Sequence, residues 1–338
     1  MITKEQLSEQ SLAKEMQDIT RRIDVDDIDE ALFFPKYFQI ETTRLCNARC
    51  PFCAIDQWDK TTTFMSDDLF SKIVKEMKEF ADWIEVVNVQ RAGEPLIDKK
   101  IIERVRAFKE IGIKSVNIST NASLLNEARA TKLIEAGIDE VMLSIDSVDK
   151  EPYEKMRVGL KYETVIDNIK RFFRLREKLN PKVIIRVRGV SFYDINNEKH
   201  RKELQRWEDF WNKNKKPQDR IYMKRAHNWG NQKIWDGHKD KMEPVNEIFH
   251  PCVLPWSTMH VTAMGIVPLC PQDYDATMNI GDINKQTIAE VWKGENWNRI
   301  RNLHATGQRN DIELCKGCKL FDLDFKLENW QQIQLWEG

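Results

Sequence analysis

From Tyr37 onward the chain moves between two rhythms of apolar and polar residues. Short runs that alternate, or crowd β-branched residues together, are separated by longer stretches with apolar residues three and four positions apart. The short runs predict strands at "YFQIETT", "EVVNVQ", "SVNIST", "EVMLSID", "KVIIRVRGV" and "RIYMKRA". The longer stretches predict helices around "MSDDLFSKIVKEMKEFADW", "KKIIERVRAFKEIG", "NEARATKLIEAG", "YETVIDNIKRFFRLREKL" and "EKHRKELQRWEDFWNK". In the first of these Ser66 is placed to cap the helix, with Asp67 and Asp68 at the positive end of its dipole. Phe70, Ile73, Val74, Met77 and Phe80 keep helical spacing behind it. Roughly six strand–helix units between residues 38 and 226 predict an α/β fold with a parallel sheet and right-handed crossovers. Sheets of this kind put their chemistry at the carboxyl ends of the strands.

The rhythm differs at both ends. Residues 1–35 are rich in charge and read as a helical lead-in. After "NKNKKPQDR" and "HNWGNQKIWDGHKD" the alternation stops, which divides the chain into 1–35, 36–240 and a different unit over 241–338. At 338 residues and 41% hydrophobic the chain can bury a substantial core. A formal charge of −1 offers no field for nucleic acid or an anionic membrane. The start, "MITKEQLSEQSLAKEM", lacks the apolar core of a signal peptide, and no run approaches the ~20 apolar residues of a membrane span. The expectation is a soluble, cytoplasmic protein without a nucleic-acid or membrane partner.

Seven cysteines then need a reason other than disulfides, since the cytosol keeps thiols reduced and an odd number leaves one over. Cys46, Cys50 and Cys53 stand in C-x3-C-x2-C spacing just after the first predicted strand. Zinc prefers paired C-x2-C knuckles with four ligands. A [4Fe–4S] cluster on three thiolates instead leaves one iron open, which is useful when a cosubstrate binds it. Cys252 and Cys270 are 18 positions apart, and "CKGC" adds Cys315 and Cys318 after a further 45. Standing alone, that tail reads as a zinc ribbon.

With Phe52 as the aromatic before its third cysteine, the first trio resembles the radical S-adenosylmethionine (radical SAM) enzymes. That resemblance implies a partial (β/α)6 parallel barrel with the cosubstrate's amino and carboxylate groups on the open iron. Cleavage of its sulfonium by a cluster electron then yields a 5′-deoxyadenosyl radical. "RAGEPL" (Arg91 to Leu96) resembles the family's Gly-Gly-Glu-Pro element, with Ala92 in place of the first glycine. It implies Gly93 and Glu94 beside the cosubstrate's amino group. "STNAS" (Ser119 to Ser123) and "SIDS" (Ser144 to Ser147) resemble the ribose- and carboxylate-binding strand ends, implying Ser119, Asn121 and Ser144 as further contacts with Phe52. Taken singly, each is also ordinary turn chemistry. "YEKMRVG" resembles the segment after the fourth strand, where Arg157 reads equally as a salt-bridging surface residue. Arg186 and Arg188 share one strand face, either inside the barrel, where Arg188 meets a carboxylate, or at a solvent edge.

Behind such a core the tail resembles the SPASM and twitch auxiliary-cluster extensions, and its four cysteines suit the shorter twitch form with one fully ligated cluster. The implied cofactors are S-adenosylmethionine and two [4Fe–4S] clusters, with a flavodoxin or ferredoxin as electron donor. Three thiols and four account for all seven, so none remains to return a hydrogen atom to a substrate radical. This favours oxidation (dehydrogenation) of a small polar metabolite such as an aminocyclitol or sugar. A peptide-modifying maturase and a radical epimerase or dehydratase of a sugar-like substrate are the alternatives. The 11 tryptophans read chiefly as packing, although those in "HNWGNQKIW", with His227, could line a substrate pocket. No acid–base residue is assigned.

Overall fold

The computed structural model describes residues 7–55, 63–191, 197–225, 249–316 and 318. His227 and the two tryptophans of "HNWGNQKIW" lie outside the described residues. In chain order the elements are α1 (Glu9–Ile23), β1 (Tyr37–Ile40), α2 (Asp67–Lys78), β2 (Val86–Asn88), α3 (Ile101–Glu110), β3 (Ser115–Thr120), α4 (Glu127–Glu135) and β4 (Glu140–Ser144). They continue as α5 (Lys150–Met156), α6 (Tyr162–Leu179), β5 (Ile184–Ser191), α7 (Glu198–Asn212) and β6 (Arg220–Arg225). The last are α8 (Leu254–Ser257), β7 (Thr258–Val261), β8 (Ile266–Pro268), β9 (Asn279–Asp282), α9 (Ile288–Trp292) and α10 (Glu295–Ala305). The described residues group into two compact units, one of 41–55, 63–64, 86–191 and 197–225, the other of 7–40, 65–85, 249–316 and 318.

In the first unit β2 to β6 pair in sequence order, all parallel. The alternation read from the sequence separates two faces. Val87, Val116, Ile118, Val141, Leu143, Ile185, Val187 and Met223 are buried on one. Helix residues such as Phe108, Leu133, Phe172 and Trp207 are buried in the same unit, and Trp207 Nε1 donates to Ile145 O at 3.1 Å. The other face is polar, because register sets Asn88 beside Asn117, Asn117 beside Glu140, Ser144 beside Arg188, and Arg188 beside Tyr222. A polar face on parallel strands is unusual, because such strands are ordinarily apolar on both faces. At the amino end of the sheet, Arg176 and Asp219 form a buried two-pronged pair at 2.9 and 2.7 Å, with Ile185 N also donating to Asp219.

The second unit holds a strand that the sequence pattern does not announce. β7 pairs parallel with β1, and His260 Nδ1 lies 3.1 Å from Gln39 Oε1. All four of its residues are buried, so no alternation marks it. β8 and β9 form an antiparallel pair. Ser66 caps α2 as expected, accepting from Leu69 N at 3.2 Å, and Leu69, Ile73 and Met77 are the buried stripe. Past Lys78 the chain turns, and Phe80 stacks on Phe34 at 4.0 Å while Trp83 Nε1 donates to Phe34 O. Four of the tryptophans, Trp207, Trp211, Trp292 and Trp297, are fully buried packing residues. Among the described residues no helix is long and apolar enough to cross a membrane.

Candidate functional site

The cysteine loop of residues 41–55 is held from several sides within its own unit. At its start Glu41 lies buried between two guanidiniums, 3.4 Å from Arg44 Nε and 3.2 Å from Arg91 Nη1. The Arg49 side chain donates to Cys46 O and Ala48 O, and its backbone N donates to Val158 O at 2.8 Å. A turn from Cys53 N to Cys50 O folds the trio back on itself. Cys50 is buried, and Cys46 and Cys53 are half-buried. Burial pushes the Cys46 thiol up to about 12, with Glu94, Cys50 and Cys53 adding to it, so the three thiols lie within electrostatic reach of each other. Burial also raises Cys50, partly offset by Arg157. Thiols like these release their protons when a metal takes the sulfur.

Gly93 sits where the "RAGEPL" segment crosses this loop. Its φ is +72°, and a Cβ there would lie 2.6 Å from Leu45 O and 2.7 Å from Thr43 O. Glu94 N donates to Leu45 O at 2.7 Å, which fixes the crossing. A Gly93→Ala variant should therefore lose about 2–4 kcal/mol, from left-handed strain plus overpacking against backbone that cannot move aside. Chemical denaturation reads this, and a loss below 1 kcal/mol would show that the two segments can separate cheaply.

Glu94 itself turns inward. Its carboxylate accepts from Thr120 Oγ1 at 2.6 Å, Asn121 N at 2.7 Å and Leu96 N at 3.1 Å, so it braces the end of β3. Burial raises its pKa against the pull of those donors. Asn121 then reaches the cysteine loop, its Nδ2 donating to Asn47 Oδ1 at 2.9 Å, while Asn47 Nδ2 donates to Ser123 Oγ at 2.8 Å. Asn168 on α6 holds the same turn through Ala122 O and Ser123 O, where Ala122 takes a left-handed φ of +61°. Ser119 and Ser144 lie on the polar face near the carboxyl ends of β3 and β4.

Arg157 is no surface residue. It is buried, paired through two nitrogens with Asp146 at 2.5 and 2.9 Å, and its Nη1 is 3.9 Å from Cys50 Sγ. Its guanidinium lies 5.1 Å from the centre of the Phe52 ring. Burial would lower its pKa, but Asp146 and Cys50 outweigh that and hold it above the usual arginine range. Asn47, Asp146 and Asn168 are residues that the sequence reading missed, and only their three-dimensional partners reveal them.

The second unit gathers the other four cysteines. Burial pushes Cys252 up to about 11 and Cys315 up to about 12, and raises Cys270 well above its ordinary value. Cys270 interacts with Cys315 and Cys318, and Cys315 with Cys252 and Cys318. Arg309, also buried, ties their loops together by donating to His250 O, Cys315 O and Cys318 O at 2.7, 2.9 and 3.0 Å. Cys252 N donates to His304 Nδ1 at 3.0 Å, and burial followed by Arg309 pushes this ring down to about 3, so it is neutral. Among the described residues no three His, Cys, Asp or Glu side chains form a group that could hold a single metal ion.

Residues 40–187 match the radical SAM superfamily, and residues 252–319 match the SPASM iron–sulfur cluster-binding domain. The chain belongs to the radical SAM superfamily. As a radical SAM/SPASM chain it takes S-adenosylmethionine and iron–sulfur clusters as cofactors. It is 33% identical over 135 residues to a probable GTP 3′,8-cyclase of Methanococcus maripaludis, covering 40% of this chain and 44% of that protein. A tungsten-containing aldehyde ferredoxin oxidoreductase cofactor-modifying protein of Pyrococcus furiosus is 33% identical over 111 residues, 33% of this chain and 31% of that one. This radical SAM chain thus spans less than half the length of the curated relatives it matches.

Two solved structures share its α/β partial-barrel fold. BtrN in complex with AdoMet and 2-DOIA has a TM-score of 0.57 at 18% identity, covering 86% of this chain and 97% of that one. Streptococcus suis SuiB bound to precursor peptide SuiA has a TM-score of 0.62 at 15% identity, covering 92% and 76%. At these identities the likeness fixes the fold of the radical SAM chain and leaves its substrate to other arguments.

Proposed function

We propose that this chain oxidises a small polar metabolite, such as an aminocyclitol or sugar, at a carbon bearing a hydroxyl or amine. The carbon loses a hydrogen atom, then a proton and one electron, and becomes a carbonyl or imine. When bound, S-adenosylmethionine and the clusters supply the 5′-deoxyadenosyl radical that takes the hydrogen and the acceptor that takes the electron. Cys46, Cys50 and Cys53 would hold one cluster, with Arg157 steadying the Cys50 sulfur. Phe52, Gly93, Glu94, Ser119, Asn121, Ser144 and Arg188 would surround the cosubstrate, Glu94 acting by bracing Asn121. Cys252, Cys270, Cys315 and Cys318 would hold the second cluster, and a flavodoxin or ferredoxin would supply the initiating electron. The same reading assigns residues 36–240 to radical generation and 241–338 to the auxiliary site, after a lead-in of 1–35.

The observation that carries the oxidation reading is the gathering of those last four thiols within electrostatic reach of one another, beside loops tied by buried Arg309. A cluster with every iron held by cysteine has no vacant site for substrate, and its natural work is moving electrons. The fit of the residues supports both clusters, since the thiols of each set lie within electrostatic reach of one another and are at least partly buried. The polar face of β2 to β6 supports a small polar substrate.

With an aminocyclitol or sugar that the enzyme accepts, each 5′-deoxyadenosine formed should accompany one product lighter by two hydrogens. Cys315→Ala with Cys318→Ala should keep cosubstrate cleavage and lose that product. A product of unchanged mass carrying one solvent deuterium would mean epimerisation and overturn the oxidation reading.

A further inference from the structure

Charge is spread unevenly over the polar face of β2 to β6. Towards the amino end Arg186 is answered by Glu140 at 2.7 Å, and the pair is buried. Towards the carboxyl end β5 presents Arg188, and β6 presents Tyr222 and Lys224, which register with Arg188 and Val190. Asp146, the acid just past β4, is engaged by Arg157 and by Val190 N at 2.8 Å. The Arg188 guanidinium makes no hydrogen bond or ion pair among the described residues. Burial, then Arg188 and Arg186, push Lys224 down to about 7. Burial likewise lowers Arg188, with Arg157 and Arg186 adding to the effect.

Such a concentration of cations does not follow from the composition, since the chain as a whole has a formal charge of −1. Crowding desolvated cations is unfavourable, and an arriving anion reverses the penalty. A second observation on the same face points to a ligand. Asn88 Oδ1 and Asn117 Oδ1 are buried without a hydrogen-bond partner, and register places the two residues side by side. Carboxamide oxygens in that state call for donors such as hydroxyls or amines.

We propose that Arg188 and Lys224 form an anion subsite for a carboxylate or phosphate ester of the substrate, while Asn88 and Asn117 accept from its hydroxyl or amine groups. This rests on the reading of the polar face as a metabolite site. It narrows the substrate from a polar metabolite to an acidic one, such as a sugar acid or sugar phosphate. S-adenosylmethionine brings a carboxylate too, and Arg188 is a candidate to meet it, so the test separates the two sources.

The readout is the rate at which Lys224 is acetylated by a short pulse of acetic anhydride near pH 7, followed by peptide mass spectrometry. Cluster-loaded protein is pulsed with S-adenosylmethionine bound, in sodium sulfate or in sodium chloride of equal ionic strength. A neutral amine reacts and an ammonium does not, so a bound anion that raises Lys224 from about 7 to about 8 slows acetylation at pH 7 about fivefold. Sulfate is expected to give that protection, and Arg188→Gln to raise the half-protecting concentration about tenfold. Sulfate has one charge state here, so its affinity should be flat below about pH 7. It should weaken as pH rises past 7, because binding must then place a proton on Lys224. The charged groups acting on Lys224 include Arg188 and Arg186 on β5; Tyr222 acts on both of those arginines, Glu140 on Arg186, and Asp146 and Arg157 on Arg188.

Equal acetylation in sulfate and chloride would overturn the proposal. So would full protection by S-adenosylmethionine alone with nothing added by sulfate, which would assign the subsite to the cosubstrate. Neither outcome depends on turnover, so failure of the oxidation reading through a product of unchanged mass remains a separate result.

Discussion

Cys50→Ala should reduce cleavage of S-adenosylmethionine to background while leaving a folded chain that binds about four irons instead of about eight. Of the first three thiols this one is the most enclosed, at 8% exposure, and Arg157 approaches its sulfur to 3.9 Å. Removing the sulfur leaves two thiolates, too few to retain a cubane cluster. The Arg157 guanidinium stays paired with Asp146, so the loss should be local rather than global. Iron and sulfide analysis, electron paramagnetic resonance and 5′-deoxyadenosine assay read the three parts of this expectation. Wild-type amounts of 5′-deoxyadenosine would refute the assignment of Cys50. Four irons lost together with loss of the folded state would refute the local account.

Glu41→Gln should be the most damaging single change to stability outside the cysteines, costing about 3–5 kcal/mol. The carboxylate is fully buried, and so are the side chains of Arg44 and Arg91 that share its two oxygens. Glutamine fits the space but removes the negative charge that both guanidiniums face. The cost arises from two desolvated cations left without their common counter-ion rather than from the loss of one contact. Because Arg44 stands two residues before Cys46, cluster retention should fall alongside denaturation midpoint. A change below 1 kcal/mol would mean that other polar groups carry those charges. Replacing Glu41 by Asp should recover part of the loss, since it restores charge at a shorter reach.

The parallel strands β1 to β6 were legible because polar and apolar residues alternate over several positions and helices separate them. β7 was not, since four buried residues in a row carry no period that a sequence can display. The C-x3-C-x2-C spacing and Gly93 were legible for a different reason, namely that each constrains a local backbone. Asn47 and Ser123 meet across 76 positions and Arg157 and Cys50 across 107, and neither pairing leaves a trace in spacing. Glu94 illustrates a subtler limit. Its place in the motif was readable, but not that the carboxylate would be spent on Thr120, Asn121 and Leu96. Arg309 and His304 were hidden for the same reason, since a lone arginine or histidine on a polar helix reads as solvated until its burial is seen.

The pairing of β1 with β7 sets an order on biosynthesis. Gln39 and His260 lie in hydrogen-bond range across 221 positions, so the pairing of β1 with β7 cannot form until the ribosome has passed Val261. At 5–20 residues per second that is a wait of roughly ten to forty seconds. The residues from 86 to 225 that form the five-strand unit emerge during that interval, and their pairings all lie between consecutive strands. The loop of Cys46, Cys50 and Cys53 belongs with that earlier unit, whereas Cys252, Cys270, Cys315 and Cys318 are made last. The first three thiols can therefore be packed in their own unit before the last four have been made.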